Sequence, residues 1–161
     1  MSIDRSDVRQ HLDSLLAEEA QLLLELERVL EQETDIVRGD DTDAIQRIGS
    51  NRHRCVERLS RIGLERTDTV RMLSFGADRT GMEKLFDWAD PSAALRTRWR
   101  ANLELARRCK ALNDRNGAIV AAKLDRVQQL LGKLRGTTAP PVYGRRGSRY
   151  GSLGPRELGR A

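Results

Sequence analysis

Apolar side chains recur every seven residues through the first part of the chain. This spacing places them on one broad face of a single helix. It predicts a first helix over residues 3–38, ended near Gly39 because glycine is common just after a helix end. The repeating positions are Val8, Leu15, Leu22, Val29 and Ile36, accompanied by Leu16, Leu23, Leu30 and Val37.

Two glutamates interrupt the neighbouring row of this face. Leu12 and Leu26 are apolar, but Glu19 and Glu33 occupy the alternating positions seven residues away. A seam broken by charge at regular intervals favours a helical bundle over a long dimeric coiled coil. We therefore expect weak self-association, whereas a purely structural coiled-coil adaptor would self-associate tightly.

A second, basic helix is predicted over residues 42–63, antiparallel to the first. The segment Gly39–Thr42 supplies a glycine for the end of one helix and N-cap residues for the next. Arg52 stands where an apolar residue is expected, and Gly63 interrupts the pattern. The apolar positions are Ile45, Ile48, Cys55, Val56, Leu59 and Ile62.

Short helical turns are predicted over residues 67–90. Four of the six aromatic residues lie within 25 positions in and just after this segment. They could form a ligand box or a hydrophobic plug that closes the end of the bundle. We interpret them as a plug, because large aromatic side chains are mostly core residues. They are Phe75, Phe86, Trp88 and Trp99.

A third long helix is predicted over residues 91–135. Asp90 is a good N-cap, and Pro91 suits the first helical position, where its missing N–H costs nothing. Gly136 is the expected stop. The apolar stripe of this helix contains Leu95, Trp99, Leu103, Ala106, Cys109, Leu112, Val120, Leu124, Val127, Leu131 and Leu134.

Two asparagines enter the apolar stripe of the third helix. Asn113 and Asn116 are three residues apart, and the helix-weakening Gly117 follows them. They could form a buried polar layer that sets the register of the helices, or they could line a binding groove. We favour the register, because both lie on the same side of the helix as Cys109.

The composition changes after residue 135. The segment 136–161 holds 6 of the 13 glycines and 3 of the 4 prolines, with few apolar residues to offset the entropy of ordering. It is predicted to be a flexible basic tail after a helical bundle over 1–135. Within it, Tyr143–Gly147 and Tyr150–Gly154 repeat a Tyr-Gly-x-x-Gly pattern. The repeat is either a docking sequence or a solvated linker.

The overall composition agrees with a bundle: Ala, Glu, Lys, Leu and Arg supply 48% of the residues. The net charge is +5, but it is −8 over residues 1–41, +9 over 42–135 and +4 over 136–161. The first two segments can neutralise each other inside a bundle. An alternative function is nucleic-acid binding, in which the Arg/Gly/Tyr tail contacts phosphates and bases.

No constellation of residues suggests catalysis, a metal or a cofactor. His53 and Cys55 are the nearest pair of soft ligands, but residues i and i+2 point about 200° apart on a helix. Carboxylate pairs such as Glu18-Glu19 lie in charged helical segments without a nucleophile motif. Without a residue set for catalysis, we expect that the protein is not an enzyme. The chain shows no membrane-spanning run and no secretory signal, so we expect a cytoplasmic protein.

The pattern as a whole resembles the FlgN family of flagellar type III export chaperones. The resemblance rests on an acidic first helix, LxxLLxxExxLLLxLxxxLExE over Leu12–Glu33, and on a basic second helix. It also rests on CKALNDRNGAIV over 109–120 and on GxxxxxxYGxxG over Gly136–Gly147. The pairing of Asn-x-x-Asn-Gly with Tyr-Gly-x-x-Gly is the most specific part of the match.

This resemblance implies a chaperone that binds the hook-filament junction proteins FlgK and FlgL through their C-terminal segments. It would prevent premature assembly of those segments and deliver the cargo to the flagellar export gate. In the family, the C-terminal part engages cargo and export machinery. Tyr150, in the second repeat, lies outside the family motif and is added to the predicted set. The predicted partner-binding residues are Asn116, Gly117, Val127, Leu130, Leu131, Leu134, Tyr143, Gly144, Gly147 and Tyr150.

Overall fold

The computed structural model describes residues 4–136, and this part of the chain is all α-helical, as predicted. Its four helices are α1 (Arg5–Ile36), α2 (Thr42–Met72), α3 (Arg79–Ala89) and α4 (Ala94–Leu134). The chain divides into two compact units, residues 1–120 and residues 121–161. The first unit contains α1, α2, α3 and the larger part of α4, and the second contains the last turns of α4.

Helices α1 and α2 form an antiparallel hairpin. Glu19, in the middle of α1, pairs with Arg66, and Glu33, near the end of α1, pairs with the earlier residue Arg52 of α2. Asp41 caps α2, since its carboxylate accepts a hydrogen bond from the Ala44 amide at 2.9 Å. The predicted turn is confirmed.

The predicted end of α2 at residue 63 is wrong, because α2 continues to Met72. Gly63 costs a helix interior about 1 kcal/mol relative to alanine. Beyond it, however, Thr69 and Val70 are buried, so two further turns bury their inner face. That packing offsets the cost of the glycine. Of the helical turns predicted over 67–90, the first belong to α2, and α3 is the one short helix.

The aromatic residues form the predicted plug. The Phe86 and Trp99 rings lie 5.4 Å apart between centroids, and the Phe75 and Trp88 rings lie 6.1 Å apart. Phe86, a residue of α3, is completely buried against the starts of α1 and α4. The surrounding core contains Val8, Leu12, Leu16, Val70, Met82, Leu85, Ala89 and Leu95.

The predicted start of the third helix is also wrong, because α4 begins at Ala94. The chain has to change direction between α3 and α4. Pro91 and Ser92 form this connecting turn and not the first turn of the helix. Asp90 nevertheless caps α4: its carboxylate accepts from the Ser92 hydroxyl at 2.7 Å and from the Leu95 amide at 3.1 Å. These hydrogen bonds, that of Ser92 first, hold the pKa of Asp90 below its ordinary value.

The other end of α4 agrees with the prediction. The helix ends at Leu134, and Gly136 has a φ of 67°, a left-handed conformation that favours glycine. The tail predicted after this glycine lies outside the described residues.

Candidate functional site

The last turns of α4 carry an exposed row of large apolar side chains, which we call the distal stripe. Its members recur at spacings of three and four residues and therefore share one side of the helix. Between 44% and 84% of each side chain is exposed. The distal stripe consists of Leu124, Val127, Leu130, Leu131 and Leu134.

A different arrangement occupies the same helix further upstream, where Asn116 joins three helices. Its amide nitrogen donates to the Leu30 carbonyl at 2.8 Å and to the Glu33 carboxylate at 3.0 Å. The other oxygen of Glu33 pairs with Arg52 of α2 at 3.0 Å. The Asn116 oxygen accepts from the Thr34 hydroxyl at 2.7 Å. The oxygen and the nitrogen of this buried amide are thus both hydrogen-bonded within the fold.

A second layer repeats this arrangement two heptads away. Asn102 donates to the Leu16 carbonyl and to the Glu19 carboxylate, both at 2.9 Å. Glu19 pairs in turn with Arg66 of α2 at 2.6 Å. Each layer therefore runs from an asparagine of α4 through a glutamate of α1 to an arginine of α2.

Cys109 lies midway between the two layers and completes a ladder along α1. Its thiol donates to the Leu23 carbonyl at 3.4 Å. In all three contacts the residue of α4 is 86 positions after the residue of α1 whose carbonyl it meets. The constant offset means that α4 runs parallel to α1. Burial raises the pKa of Cys109, which agrees with a protonated thiol as donor.

Arginines of α4 line one side of this ladder. The Arg108 guanidinium donates to the Glu27 carboxylate at 2.7 Å, and Arg115 donates to the Thr34 hydroxyl at 2.8 Å. The hydrogen bond from Arg108 holds the pKa of Glu27 below its ordinary value. The contact surface of α4 on α1 is thus a central row of small polar groups beside a basic edge.

Four of these residues are visible in the sequence as breaks in apolar seams: Asn116, Glu19, Glu33 and Arg52. Asn102 and Arg66 were not predicted. The missed signal is spacing. The two asparagines, the two glutamates and the two arginines are each 14 residues apart, so three helices carry the same double-heptad interval. Matching intervals on different helices are what a layered polar contact requires.

The remaining predicted partner-binding residues fall in three environments. Gly117 is exposed in the helix, next to the buried Asn116. Asn113 is exposed and meets Arg52 at 3.5 Å, so only one of the two asparagines belongs to a buried layer. The distal-stripe members Val127, Leu130, Leu131 and Leu134 are open to solvent. Tyr143, Gly144, Gly147 and Tyr150 lie outside the described residues.

The candidate soft ligands do not converge. Cys55 is buried in a cluster with Cys109, whereas His53 is exposed and pairs with Glu57. Within residues 4–136, no group of three or more His, Cys, Asp or Glu side chains is placed to hold a metal ion.

The family model described as FlgN protein matches residues 1–151. The chain belongs to the FlgN family. Membership in the FlgN family implies a role as a flagellar export chaperone. Neither a curated protein nor a solved structure matched the chain.

The FlgN match extends beyond the helices into the region of the first Tyr-Gly repeat and the start of the second. It also covers both polar layers and the distal stripe. None of the helices described for this FlgN chain is long and apolar enough to cross a membrane.

Proposed function

We propose that this chain is a cytoplasmic chaperone of the hook-filament junction proteins FlgK and FlgL. It binds their C-terminal segments before export and delivers them to the flagellar type III export gate. The observation that carries this proposal is the distal stripe: a FlgN-family chain presents five large apolar side chains to solvent on one helical face.

An apolar helical face suits a cargo segment that is itself an amphipathic helix. Docking removes both apolar faces from water, which stabilises the complex by about 25 cal/mol for each Å² buried. The same burial prevents cargo segments from associating with one another. Release needs no chemical step, and we propose a binding protein rather than an enzyme.

We assign the second predicted contact, with the export machinery, to the tail. Tyr143, Gly144 and Gly147 form its first Tyr-Gly-x-x-Gly copy, and Tyr150 begins the second. A tyrosine supplies contact area and a hydroxyl at low entropic cost. In this proposal cargo and export machinery use separate parts of the chain.

Calorimetry of the full-length protein with the C-terminal segments of FlgK and FlgL tests the function. We expect saturable binding with a negative heat-capacity change that persists when the salt concentration is raised. The double variant Val127→Asp/Leu131→Asp should weaken binding at least about tenfold. Leu64→Asp is the control, because Leu64 is also an exposed large apolar residue but lies on α2.

Duplex and single-stranded nucleic acids serve as competing ligands in the same experiment. Binding only to nucleic acid, collapsing as salt rises, would contradict the chaperone function and support the alternative function of the basic tail. If Leu64→Asp and the stripe variant weaken the binding of the junction segments equally, the distal stripe is not the cargo site.

A further inference from the structure

The distal stripe has a basic edge. Arg126 and Lys133 are exposed and lie seven residues apart, on one side of the helix. Residues 121–136 contain four basic residues and one acidic residue. A ligand for this part of α4 meets an apolar surface and, beside it, a row of positive charge.

Two members of the distal stripe share their angular position on α4 with residues that contact α1. Eighteen residues, five turns of an α-helix, separate Cys109 from Val127 and Asn116 from Leu134. Positions five turns apart have the same angular position on a helix. In the helical repeat, a valine and a leucine therefore take the places of the thiol and the amide that meet α1 carbonyls.

The basic edge repeats with the same interval. Arg108 and Arg126 are eighteen residues apart, as are Arg115 and Lys133. The first member of each pair donates to a residue of α1, at 2.7 Å and 2.8 Å respectively. The second members, a guanidinium and an ammonium, are also cationic donors and lie beside the distal stripe.

We propose that the distal stripe and its basic edge bind an amphipathic helix with an acidic flank, in the manner in which α4 binds α1. The proposal rests on the proposed chaperone function and specifies the chemistry of its cargo segment. In α1, Leu23 and Leu30 carry the carbonyls that meet α4, and Glu27 and Thr34 follow them by four residues. Of these two residues only Glu27 is acidic. The partner carries apolar residues seven apart, each followed four residues later by an acidic one, because Arg126 and Lys133 are both cationic.

The replacement of polar by apolar groups explains why the ligand can be a separate molecule. The polar ladder depends on carbonyls and carboxylates of α1 at fixed positions, and each buried polar group must find its partner. A valine and a leucine make no such demand, so association requires apolar area and a charge match only. The charge match then selects among amphipathic helices.

Two synthetic peptides of about 20 residues test the proposal. The acidic peptide has a leucine seam with glutamate four residues after each seam leucine, and its basic twin has lysine at those positions. Titrated into the full-length chain at low salt, the acidic peptide should bind about tenfold more tightly than the twin. Raising the salt should reduce this ratio.

Charge reversal is the decisive variant. Arg126→Glu/Lys133→Glu should reverse the preference, so that the basic twin binds more tightly than the acidic peptide. The matched control, Arg107→Glu/Lys110→Glu, makes the same change in net charge at exposed positions of α4 outside the repeat and should keep the preference. Circular dichroism establishes that both variants retain their helices.

The proposal is overturned if the two peptides bind with equal affinity, if the preference is unchanged after the charge reversal, or if the control variant has an equal effect. Dimerisation of the chain through the distal stripe would also overturn the proposal. In that case Leu131→Asp makes the chain monomeric, and the peptides do not compete with the dimer. Junction segments that bind through the stripe regardless of charge would leave the chaperone function intact and refute only this inference. Charge-selective binding of the peptides without binding of the junction segments would support the charge-selective site and refute the chaperone function.

Discussion

Asn116 and Asn102 have the same role at two levels of the bundle, because each places one amide against a backbone carbonyl and a carboxylate of α1. A shift of α4 by seven residues would bring Cys109 to a glutamate and break both layers together. The asparagines therefore specify one register among several that the heptads of α1 and α4 would tolerate.

Replacing Asn116 by leucine tests this specification. The substitution leaves the carboxylate of Glu33 without its amide partner in a buried position, and we expect a loss of about 1–3 kcal/mol in the free energy of unfolding. We also expect a change in oligomeric state or in the hydrogen-exchange pattern of α4. Urea unfolding, light scattering and hydrogen exchange measure these quantities.

Asn113→Leu is the matched control for that substitution. Asn113 is exposed three residues upstream on α4, so its replacement should change stability little. An Asn116→Leu chain with unaltered size, stability and exchange pattern would show that the polar layer does not set the register.

Asp90 provides a pH-dependent contribution at the residue scale. Its pKa is held below the ordinary value by hydrogen bonds from Ser92 and Leu95, so its folded-state pKa is lower than its unfolded one. The stabilisation is therefore present above the unfolded pKa, about 3.9, and is lost as pH falls through the folded pKa.

Asp90→Asn should accordingly lower stability at neutral pH and flatten its decline between about pH 5 and pH 3. Chemical unfolding across this pH range measures both effects. The exposed Asp114→Asn serves as control and should follow the wild-type curve. Parallel curves for wild type and Asp90→Asn would exclude the capping role.

At the scale of elements, glycines at two positions have opposite roles. Gly117 lies inside α4 with open space where a Cβ would stand. Gly81, near the start of α3, lies so close to Gly76 that a Cβ would be 1.7 Å from its carbonyl oxygen. One glycine only weakens a helix, and the other permits two backbone segments to approach.

Gly117→Ala should therefore raise the free energy of unfolding by about 0.5–1 kcal/mol. Gly81→Ala should lower it by about 1–3 kcal/mol, because the α2–α3 connection must shift. Thermal and urea unfolding of the two variants provide the comparison. If Gly117→Ala leaves stability higher but weakens cargo binding, the predicted partner contact at Gly117 gains support; a destabilised variant would contradict the open environment.

The boundaries of the elements show where sequence patterns are insufficient. Gly63 and the Asp90-Pro91 pair are standard helix-ending and helix-starting signals, yet α2 passes through the first and α4 begins after the second. A local signal contributes about 1 kcal/mol. The packing of Thr69 and Val70 outweighs it in one case, and the turn between α3 and α4 outweighs it in the other.

At the scale of the whole molecule, the tail and the helices are expected to be separable. A chain that ends at Arg135 should retain the helical circular dichroism and unfolding midpoint of the described helices, while binding to export components falls. Calorimetry of the full-length and the truncated chain against the same export components measures the loss of binding. Unchanged binding would remove Tyr143 and Tyr150 from the proposed contact.

The sequence by itself determined the all-α class, the hairpin of α1 and α2, the aromatic plug and the end of α4 at Gly136. These follow from periodicity, caps and glycine conformation, which act over a few neighbouring residues. The family was also visible in the sequence, because Asn-x-x-Asn-Gly and Tyr-Gly-x-x-Gly are local motifs.

Only the tertiary structure decided which polar residues meet. Glu19 and Glu33 are breaks in a seam until Asn102 and Asn116 lie beside them, and a single helix holds no information about the offset of 86 residues that pairs α4 with α1. Likewise, Cys109 and Val127 belong to one periodic stripe, yet the first is buried and the second is exposed. Periodicity determines the side of the helix on which a residue lies, whereas burial depends on whether another part of the chain covers that side.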